Sequence, residues 1–500
     1  MNVAMLLEMA ADAFGDREAV RCGGAALDYQ GLQRAARHAA AALVASGCRH
    51  AALLDESSPA VPVALFAAAT SGVPFVPLSY RLADAEIDAL LGRVAPAYLV
   101  TDAVRAERLQ GRAGVVAAVA RDAFLAAEAL EPIAALPDDG DAIAILLFTS
   151  GTTGAPKAAV LRHRHLVSYI LGSVEFGAAE AEESTLVSVP PYHVAAMAAV
   201  LSSVYSGRRI VQLPHFDPHA WIALAAAERV THAFVVPTML ARISDALRER
   251  PVALPALRAL SYGGGKMPLA VIERALQQWP QVAFTNAYGL TETSSTIALL
   301  DPDDHRAAFA SGDPALRRRL ASVGRPLPGL EVEVRDAEGR RVAAGERGEF
   351  HVRGEQVAGE YLGHAARLTS DGFFATRDAG FVDADGYLFL DGRLDDVIVR
   401  GGENLSPGEI EDVLREHAAV ADCAVVGVPD EEWGEAVAAV IVARPGMAAP
   451  ADELRAFVRS RLRSSRSPER IEFRDALPYT ETGKLLRRQL KAELRGEPSG

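Results

Sequence analysis

From residue 28 to residue 236 helix and strand signals alternate, and that alternation confines the chain to a layered α/β fold. Residues 28–47 space their apolar side chains for a helix and stop at Gly47. Ala51–Leu54 reads as a strand, Pro59–Ser71 as a helix, and Phe75–Pro77 and Tyr98–Thr101 as short strands. The apolar run Ile143–Leu147 reads as a buried strand. The series resumes with strand Leu186–Val189, helix Ala195–Tyr205, strand Arg209–Gln212, helix Trp221–Glu228 and strand Ala233–Val236. Strands joined through helices pair in parallel, because the helix carries the chain back across the sheet.

From about residue 320 the texture changes. Val332–Arg335, Gly348–Val352 and Tyr387–Leu390 are short strands between turn signals such as DAEG (336–339) and DADG (383–386), which predicts a small antiparallel β unit. A third texture begins near residue 395. Val397–Val399 reads as a strand, and Ser406-Pro-Gly-Glu409 reads as a capping box with proline at the first helical position. Val425–Val428 and Val437–Val442 read as strands and Leu454–Leu462 as a helix. That predicts a compact α+β module of roughly one hundred residues, large enough to fold alone.

The string FTSGTTGAPKAAVL (148–161) directly follows the buried strand. Thr149, Ser150, Thr152 and Thr153 set hydroxyls beside Gly151 and Gly154, and Lys157 closes the run. Such a loop suits a polyphosphate: glycine lets backbone N–H groups approach, hydroxyls donate, and lysine offsets charge. It is not a Walker A loop, because Pro156 precedes Lys157 and Ala158 follows it. In NAYGLTET (286–293), Tyr288 is a candidate to stack on a purine, Thr291 to donate to a phosphate, and Glu292 to hold Mg²⁺. Upstream, Gly263, Gly264 and Gly265 end an apolar stretch and would let a flat ligand approach the backbone; a tight strand–helix turn explains them equally well. In RDAGFVDADGYLFLDGR (377–393), the Asp378 carboxylate can accept both hydroxyls of a ribose, and Arg393 can contact the same sugar or a phosphate; the alternative is a pair of solvated turn charges. Gly483 gives Lys484 a mobile tip in YTETGKLLRR (479–488), which taken alone is an idle surface lysine.

Half of the 500 residues are hydrophobic, enough for a sizeable core and several domains. The net charge of −14 is spread along the chain and argues against a general nucleic-acid binder. Cys22, Cys48 and Cys423 form no CxxC pair and no zinc spacing, which fits a reducing cytoplasm. Met1–Ala10 lacks a basic start and is interrupted by Glu8, so no secretory signal is expected. No run approaches the ~20 apolar residues of a membrane span.

The threonine loop, YGLTET, DGFFATRDAGFVDADGYLFLDGR and TETGKLLRR occur in the order found in the adenylate-forming (AMP-binding) superfamily, and the resemblance covers nearly the whole chain. FVPLSYRL (75–82) resembles the acyl-CoA synthetase branch of fatty- and aryl-acid CoA ligases. The resemblance implies an α/β protein: a large N-terminal domain of layered mixed sheets with helices over 1–394, including a small β-barrel-like subdomain at about 320–394, and a small mobile α+β C-terminal domain over 395–500. Asp395, after Gly-Arg-Leu, would be the hinge.

It further implies an ATP-dependent acid–thiol ligase using ATP, Mg²⁺ and CoA. Lys484 would bridge the substrate carboxylate and the α-phosphate, and Thr291 and Glu292 would act at the phosphates, Glu292 as the metal ligand. Asn286, Ala287, Tyr288 and Gly289 would join the glycine loop, Asp378 and Arg393 in holding the nucleotide. Gly401 and Gly402 would let a pantetheine arm pass. The acyl pocket would lie near Tyr192, His193, Val194, Val236, Thr238, Tyr262 and Gly263, with His193 at its mouth. Amino-acid-activating relatives carry an aspartate after the aromatic of the PPYHVAAM segment. Here His193, Val194 and Ala195 follow Tyr192, so the expected acid lacks an α-amine. Fatty, aryl and bulky cyclic acids all remain open. Residues 463–473 depart from the more frequent lysine- or tyrosine-bearing version, Lys266 in the glycine loop has no assigned role, and both leave the subfamily open. The acceptor is CoA or a carrier protein's phosphopantetheine. A catalytically silent relative and a luciferase-like oxygenase are the other readings. The expected protein is a cytoplasmic monomer or homodimer without a membrane span.

Overall fold

The computed structural model describes residues 1–128, 130–149, 156–447, 449–480 and 485–496, and at Asn404 the backbone alone. The chain forms two compact units. The first comprises Met1–Leu320, Arg325–Glu331 and Arg353–Phe374; the second comprises Ala321–Gly324, Val332–Val352 and Ala375–Gly500.

Two sheets organise the first unit. The six-stranded sheet runs Val115–Ala120, Ala97–Thr101, His50–Leu54, Phe75–Pro77, Ile143–Thr149 and Lys157–Arg162. All neighbours pair in parallel except the last two, which form an antiparallel hairpin. The nine-stranded sheet carries Ser184–Val187, His232–Val235, Ala259–Gly263 and Ala283–Leu290 as parallel neighbours, and ends in antiparallel strands. The expected strand at 186–189 lies at Ser184–Val187, where its register with Arg209–Gln212 fixes it.

Sequence chemistry sets the helices. Asp28 caps Tyr29–Ser46 by accepting the Gly31 N–H, and Gly47 ends it at φ 68°, a left-handed conformation that suits glycine. Helix Ala60–Ser71 is buried at every position from Ala60 to Thr70. Its sequence has no polar face, so it has to lie inside the layers. The main core runs without a break through helices Ala4–Phe14, Tyr29–Ser46, Ala60–Ser71 and Val194–Ser206 and strands of both sheets.

The second unit holds a four-stranded sheet, Glu331–Arg335, Gly348–Arg353, Phe374–Val382 and Leu388–Arg393, and a five-stranded sheet built on the long hairpin Val420–Asp430/Gly434–Ala443. The capping box expected at Ser406 is not made. The Ser406 hydroxyl donates to the Asp391 carbonyl at 2.7 Å, and Glu409 pairs with Arg466 at 2.7 Å. Tying the helix start to strand Leu388–Arg393 takes precedence over the local cap. Among the described residues no helix is long and apolar enough to cross a membrane.

A buried ion pair joins helix Pro407–Arg415 to the last helix, Arg487–Leu494. Glu411 accepts from Arg487 at 2.9 Å and from the Val425 N–H at 2.8 Å. Burial pushes the Glu411 carboxyl up, but the Arg487 guanidinium outweighs it and holds the group below its ordinary range. Arg487→Met strands a buried carboxylate and is expected to cost about 3–5 kcal/mol, while Glu411→Leu with Arg487→Met restores most of the loss. Urea unfolding of the single and double variants checks this; equal stability of Arg487→Met and the parent would contradict it.

Candidate active site

The threonine-rich string sits on the antiparallel hairpin. Thr149 and Lys157 face each other in register, and Thr149 Oγ1 donates to the Lys157 carbonyl at 3.3 Å. Ser150, Gly151, Thr152, Thr153 and Gly154 lie outside the described residues. A Walker A loop leads from strand to helix; this one returns as a strand. Cations gather at its base. Arg93 donates to the Pro156 carbonyl and stacks 5.0 Å from the Phe148 ring, and Lys157 Nζ lies 5.8 Å from the centre of the Tyr361 ring.

Strand Ala283–Leu290 alternates faces: Asn286 and Tyr288 are buried, and Ala287 and Gly289 face the other way. The strand runs into the single turn Thr291–Thr293, which buried Thr293 closes by accepting the Leu290 N–H at 3.0 Å and donating to the Ser295 carbonyl at 2.8 Å. Ser294 and Ser295 have φ of 59° and 132°, which folds the chain back sharply. Only glycine fits at 289, since a Cβ there would lie 1.8 Å from the Ser295 carbonyl oxygen. Gln356 braces the turn through its amide, donating to the carbonyls of Thr293 at 3.1 Å and Thr296 at 2.8 Å. Tyr361 O–H donates to Glu292 Oε1.

This donor set fits Mg²⁺. Among the described residues no group of three or more His, Cys, Asp or Glu could cage a metal. Mg²⁺ does not need a cage: it binds one or two carboxylates together with phosphate oxygens and water. Glu292, presented on a braced turn, could supply such a carboxylate.

Gly263 pairs with Ala287 across the sheet, and a Cβ on it would lie 2.2 Å from the Ala287 carbonyl oxygen and 3.5 Å from the Phe234 ring. A Cβ on Gly264, at φ 81°, would lie 3.5 Å from Val236 Cγ1, in ordinary contact. Thr238 is half-buried in the first turn of the helix that Pro237 opens. Gly263 and Val236 are buried beside the half-buried Phe234, and Gly264 and Gly265 are exposed beyond them. Tyr262 is committed elsewhere. Its hydroxyl lies 2.8 Å from His305 Nε2, and His305 Nδ1 lies 2.7 Å from the Asp301 carbonyl. That carbonyl only accepts, so Nδ1 carries the proton and Nε2 accepts from Tyr262.

His193 caps helix Val194–Ser206, its Nδ1 accepting from the Ala195 N–H at 3.2 Å. Burial drives its pKa down to about 4, so at neutral pH the ring is uncharged and Nε2 carries the donor proton. Tyr192 packs edge-on against Tyr80, with ring centres 6.1 Å apart, in the apolar cluster that also takes Phe148 and Leu362 of the hairpin region. Val194, Val236 and Tyr262 belong to the main core instead. The residues assigned to one acyl pocket thus come from two packing clusters.

In the second unit, Asp378 and Arg393 are cross-strand partners, and Arg393 donates to Asp378 Oδ1 at 2.8 Å and to the Thr376 carbonyl at 3.0 Å. Asp378 is buried in strand Phe374–Val382 rather than exposed in a turn. Asp395 lies on the turn Leu394–Asp396 and is held by Arg377, which keeps its carboxyl below the ordinary range. Arg377 itself sits at φ 62°. Gly401 and Gly402 form the tip between two short strands, at φ 55° and 81°. A Cβ on Gly401 would meet Trp433 at 2.8 Å, and Arg400 stacks 4.8 Å from that indole. Lys484 lies outside the described residues.

Comparison with known proteins decides the family. The model of the AMP-binding enzyme matches residues 7–362, and that of the AMP-binding enzyme C-terminal domain matches 409–484. The chain belongs to the AMP-binding enzyme family. Feruloyl-CoA synthase of an Amycolatopsis species is 36% identical over 95% of each chain. A fatty acid–[acyl-carrier-protein] ligase of Streptomyces coeruleorubidus is 32% identical over 96% of this chain and 94% of that one. Among solved structures, o-succinylbenzoate CoA synthetase of Bacillus subtilis with its acyl-adenylate intermediate superposes with a TM-score of 0.84 at 27% identity, over 97% of each chain. The same enzyme has been solved with ATP and a magnesium ion.

For this AMP-binding enzyme, sequence reading missed Tyr361, Gln356, Phe234, His305 and Trp433. Each reaches its motif residue across the fold, and no local spacing marks it. The Tyr262–His305 pair carries a pH signature. Burial lowers the His305 pKa to about 4, so the folded state prefers the neutral ring. Stability from this group is complete above the unfolded value near 6.5 and is lost as pH falls toward about 4. Between about pH 4.5 and 6, His305→Gln should flatten the slope of unfolding free energy by about 1.4 kcal/mol per pH unit. Chemical denaturation across that range checks it, and an unchanged slope would contradict it.

Proposed function

We propose that this AMP-forming acid–thiol ligase activates an aryl carboxylic acid lacking an α-amine and delivers the acyl group to coenzyme A. One observation carries the choice of acid: where a carboxylate would pair an α-ammonium, the chain places the neutral histidine His193, capping its own helix. A buried ammonium without a partner would be costly. An aryl acid is favoured by the feruloyl-CoA synthase among the similar proteins.

In the first step a carboxylate oxygen attacks the α-phosphorus of ATP, the bond to the bridging oxygen breaks, and pyrophosphate leaves. Two anions meet, and unit charges ~4 Å apart repel by about 4 kcal/mol at an effective dielectric near 20. Lys484 would offset that repulsion where charge builds up in the transition state. Lys157 and the hydroxyls of the hairpin loop would hold the departing phosphates, with Thr291 donating to them. Mg²⁺, held by Glu292, supplies charge neutralisation at the phosphates when bound. Tyr288 and the Asn286–Gly289 backbone would seat the base, and Asp378 with Arg393 the ribose. In the second step the thiolate of CoA attacks the acyl carbonyl and AMP leaves. The Gly401–Gly402 tip would admit the pantetheine arm, with Asp395 the hinge on which residues 395–500 turn between steps. The N-terminal part would then span 1–394.

Transfer to a carrier protein is the second reading, favoured by the fatty acid–[acyl-carrier-protein] ligase among the relatives. Free cysteines at 22, 48 and 423 suit work in the cytoplasm, as a monomer or homodimer. A carboxylic-acid panel measured by pyrophosphate release, with CoA, with a holo carrier protein and with neither thiol, tests the assignment. Expected is at least tenfold preference for cinnamate- or arylacetate-like acids over α-amino acids and long-chain fatty acids, with CoA as acceptor. Preference for α-amino acids, or turnover only with the carrier protein, would overturn it.

A further inference from the structure

Glu292 is held at both ends by one short segment of the first unit. The N–H groups of Ala358 and Gly359 donate to its backbone carbonyl at 2.9 and 3.1 Å, and Tyr361 O–H donates to its carboxylate at Oε1. The same segment is fastened to the phosphate-loop hairpin. Tyr361 bridges to Ala159, the Leu362 N–H donates to the Ala158 carbonyl at 2.8 Å, and the Val160 N–H donates to the Glu360 carbonyl at 3.0 Å. Arg162 clasps the Glu360 carboxylate with two bonds, at 2.8 and 3.0 Å. The Tyr361 ring also lies under two cations, with Lys157 Nζ 5.8 Å and the Arg367 guanidinium 5.3 Å from its centre.

We propose that Tyr361 is the positioning residue for Glu292, fixing its carboxylate rotamer so that the second oxygen is presented in one direction, in register with the phosphate-loop hairpin. A glutamate on a turn otherwise samples several rotamers, and a hard cation gains only from the one aimed at it. A phenol is well suited to the task. It donates one hydrogen bond, to one carboxylate oxygen, and its rigid ring carries just two torsions. Because Tyr361 is anchored to Ala159 through its own backbone, the side chain that orients Glu292 moves with the strand that begins at Lys157. The elements reading the phosphates are thereby set by one another and not independently. The proposal rests on the reading of Glu292 as the residue that holds Mg²⁺ with the ATP phosphates.

Tyr361→Phe keeps the ring and its packing and removes only the donor. ATP binding to the full chain is measured by calorimetry with Mg²⁺ and with EDTA, together with the melting temperature, for the parent, Tyr361→Phe, Glu292→Gln and the double variant. Expected for Tyr361→Phe are a near-parental melting temperature, unchanged ATP affinity in EDTA, and a five- to twentyfold loss of the gain in affinity that Mg²⁺ confers. In the Glu292→Gln background the tyrosine substitution should have no further effect. A full Mg²⁺ gain in Tyr361→Phe alongside a lost one in Glu292→Gln would overturn the positioning role alone. Equal losses from Tyr361→Phe in both backgrounds would overturn it as well. A full Mg²⁺ gain in Glu292→Gln would overturn the metal role of Glu292 and the positioning role with it.

Discussion

Electrostatic repulsion between a carboxylate and a polyphosphate is the constraint on which this protein is built. Each of the two anions is stable in water, and neither approaches the other unaided. The first unit answers with fixed charge at the root of one hairpin: Lys157 on its return strand and Arg93 bound to the Pro156 carbonyl. It also fixes the carboxylate of Glu292, proposed to hold Mg²⁺ at the phosphates. Glu292 stands on a turn that buried Thr293 and Gln356 hold shut, in a backbone path that Gly289 alone permits. Preorganised charge of this kind needs no rearrangement when the reaction begins.

Two histidines near the proposed acyl residues are neutral. His193 and His305 are both driven toward a pKa of about 4 by burial, and each has a nitrogen engaged by the protein: the first by a helix N-terminus, the second by Tyr262 and the Asp301 carbonyl. At neutral pH neither ring carries a charge. Gly263 approaches the Ala287 carbonyl and the Phe234 ring too closely to admit a Cβ. In the proposed reading, discrimination against α-amino acids would rest on the absence of a counter-ion for the ammonium group.

Much of this was legible in the sequence where the signal is local. Helix Tyr29–Ser46 announces itself by its apolar spacing and its stop at Gly47, and Ala60–Ser71 also read as a helix. The family followed from motifs in their order, and the matches to residues 7–362 and 409–484 agree. What stayed hidden depends on long-range contact. Strand Phe374–Val382 contains Arg377 at positive φ and a glycine, so its alternation is broken, and the sequence did not separate a buried Asp378 from a solvated turn charge. Ser406 looked like a cap and instead ties to Asp391. Tyr361 sits in EYLGH, with no spacing to connect it to a glutamate 69 residues earlier. Periodicity reports which face of an element is buried; it does not report which distant hydroxyl meets a given carboxylate.

The central claim is that a lysine carried by the C-terminal segment allows the anhydride to form and has no part in consuming it. Single-turnover kinetics of Lys484→Ala, with the two half-reactions followed separately, tests this most directly. The account predicts that acyl-AMP formation from acid and ATP falls by about 10²–10³-fold, while chemically prepared acyl-AMP is converted to thioester by CoA at close to the parental rate. Equal loss of both half-reactions, or parental acyl-AMP formation, would contradict it.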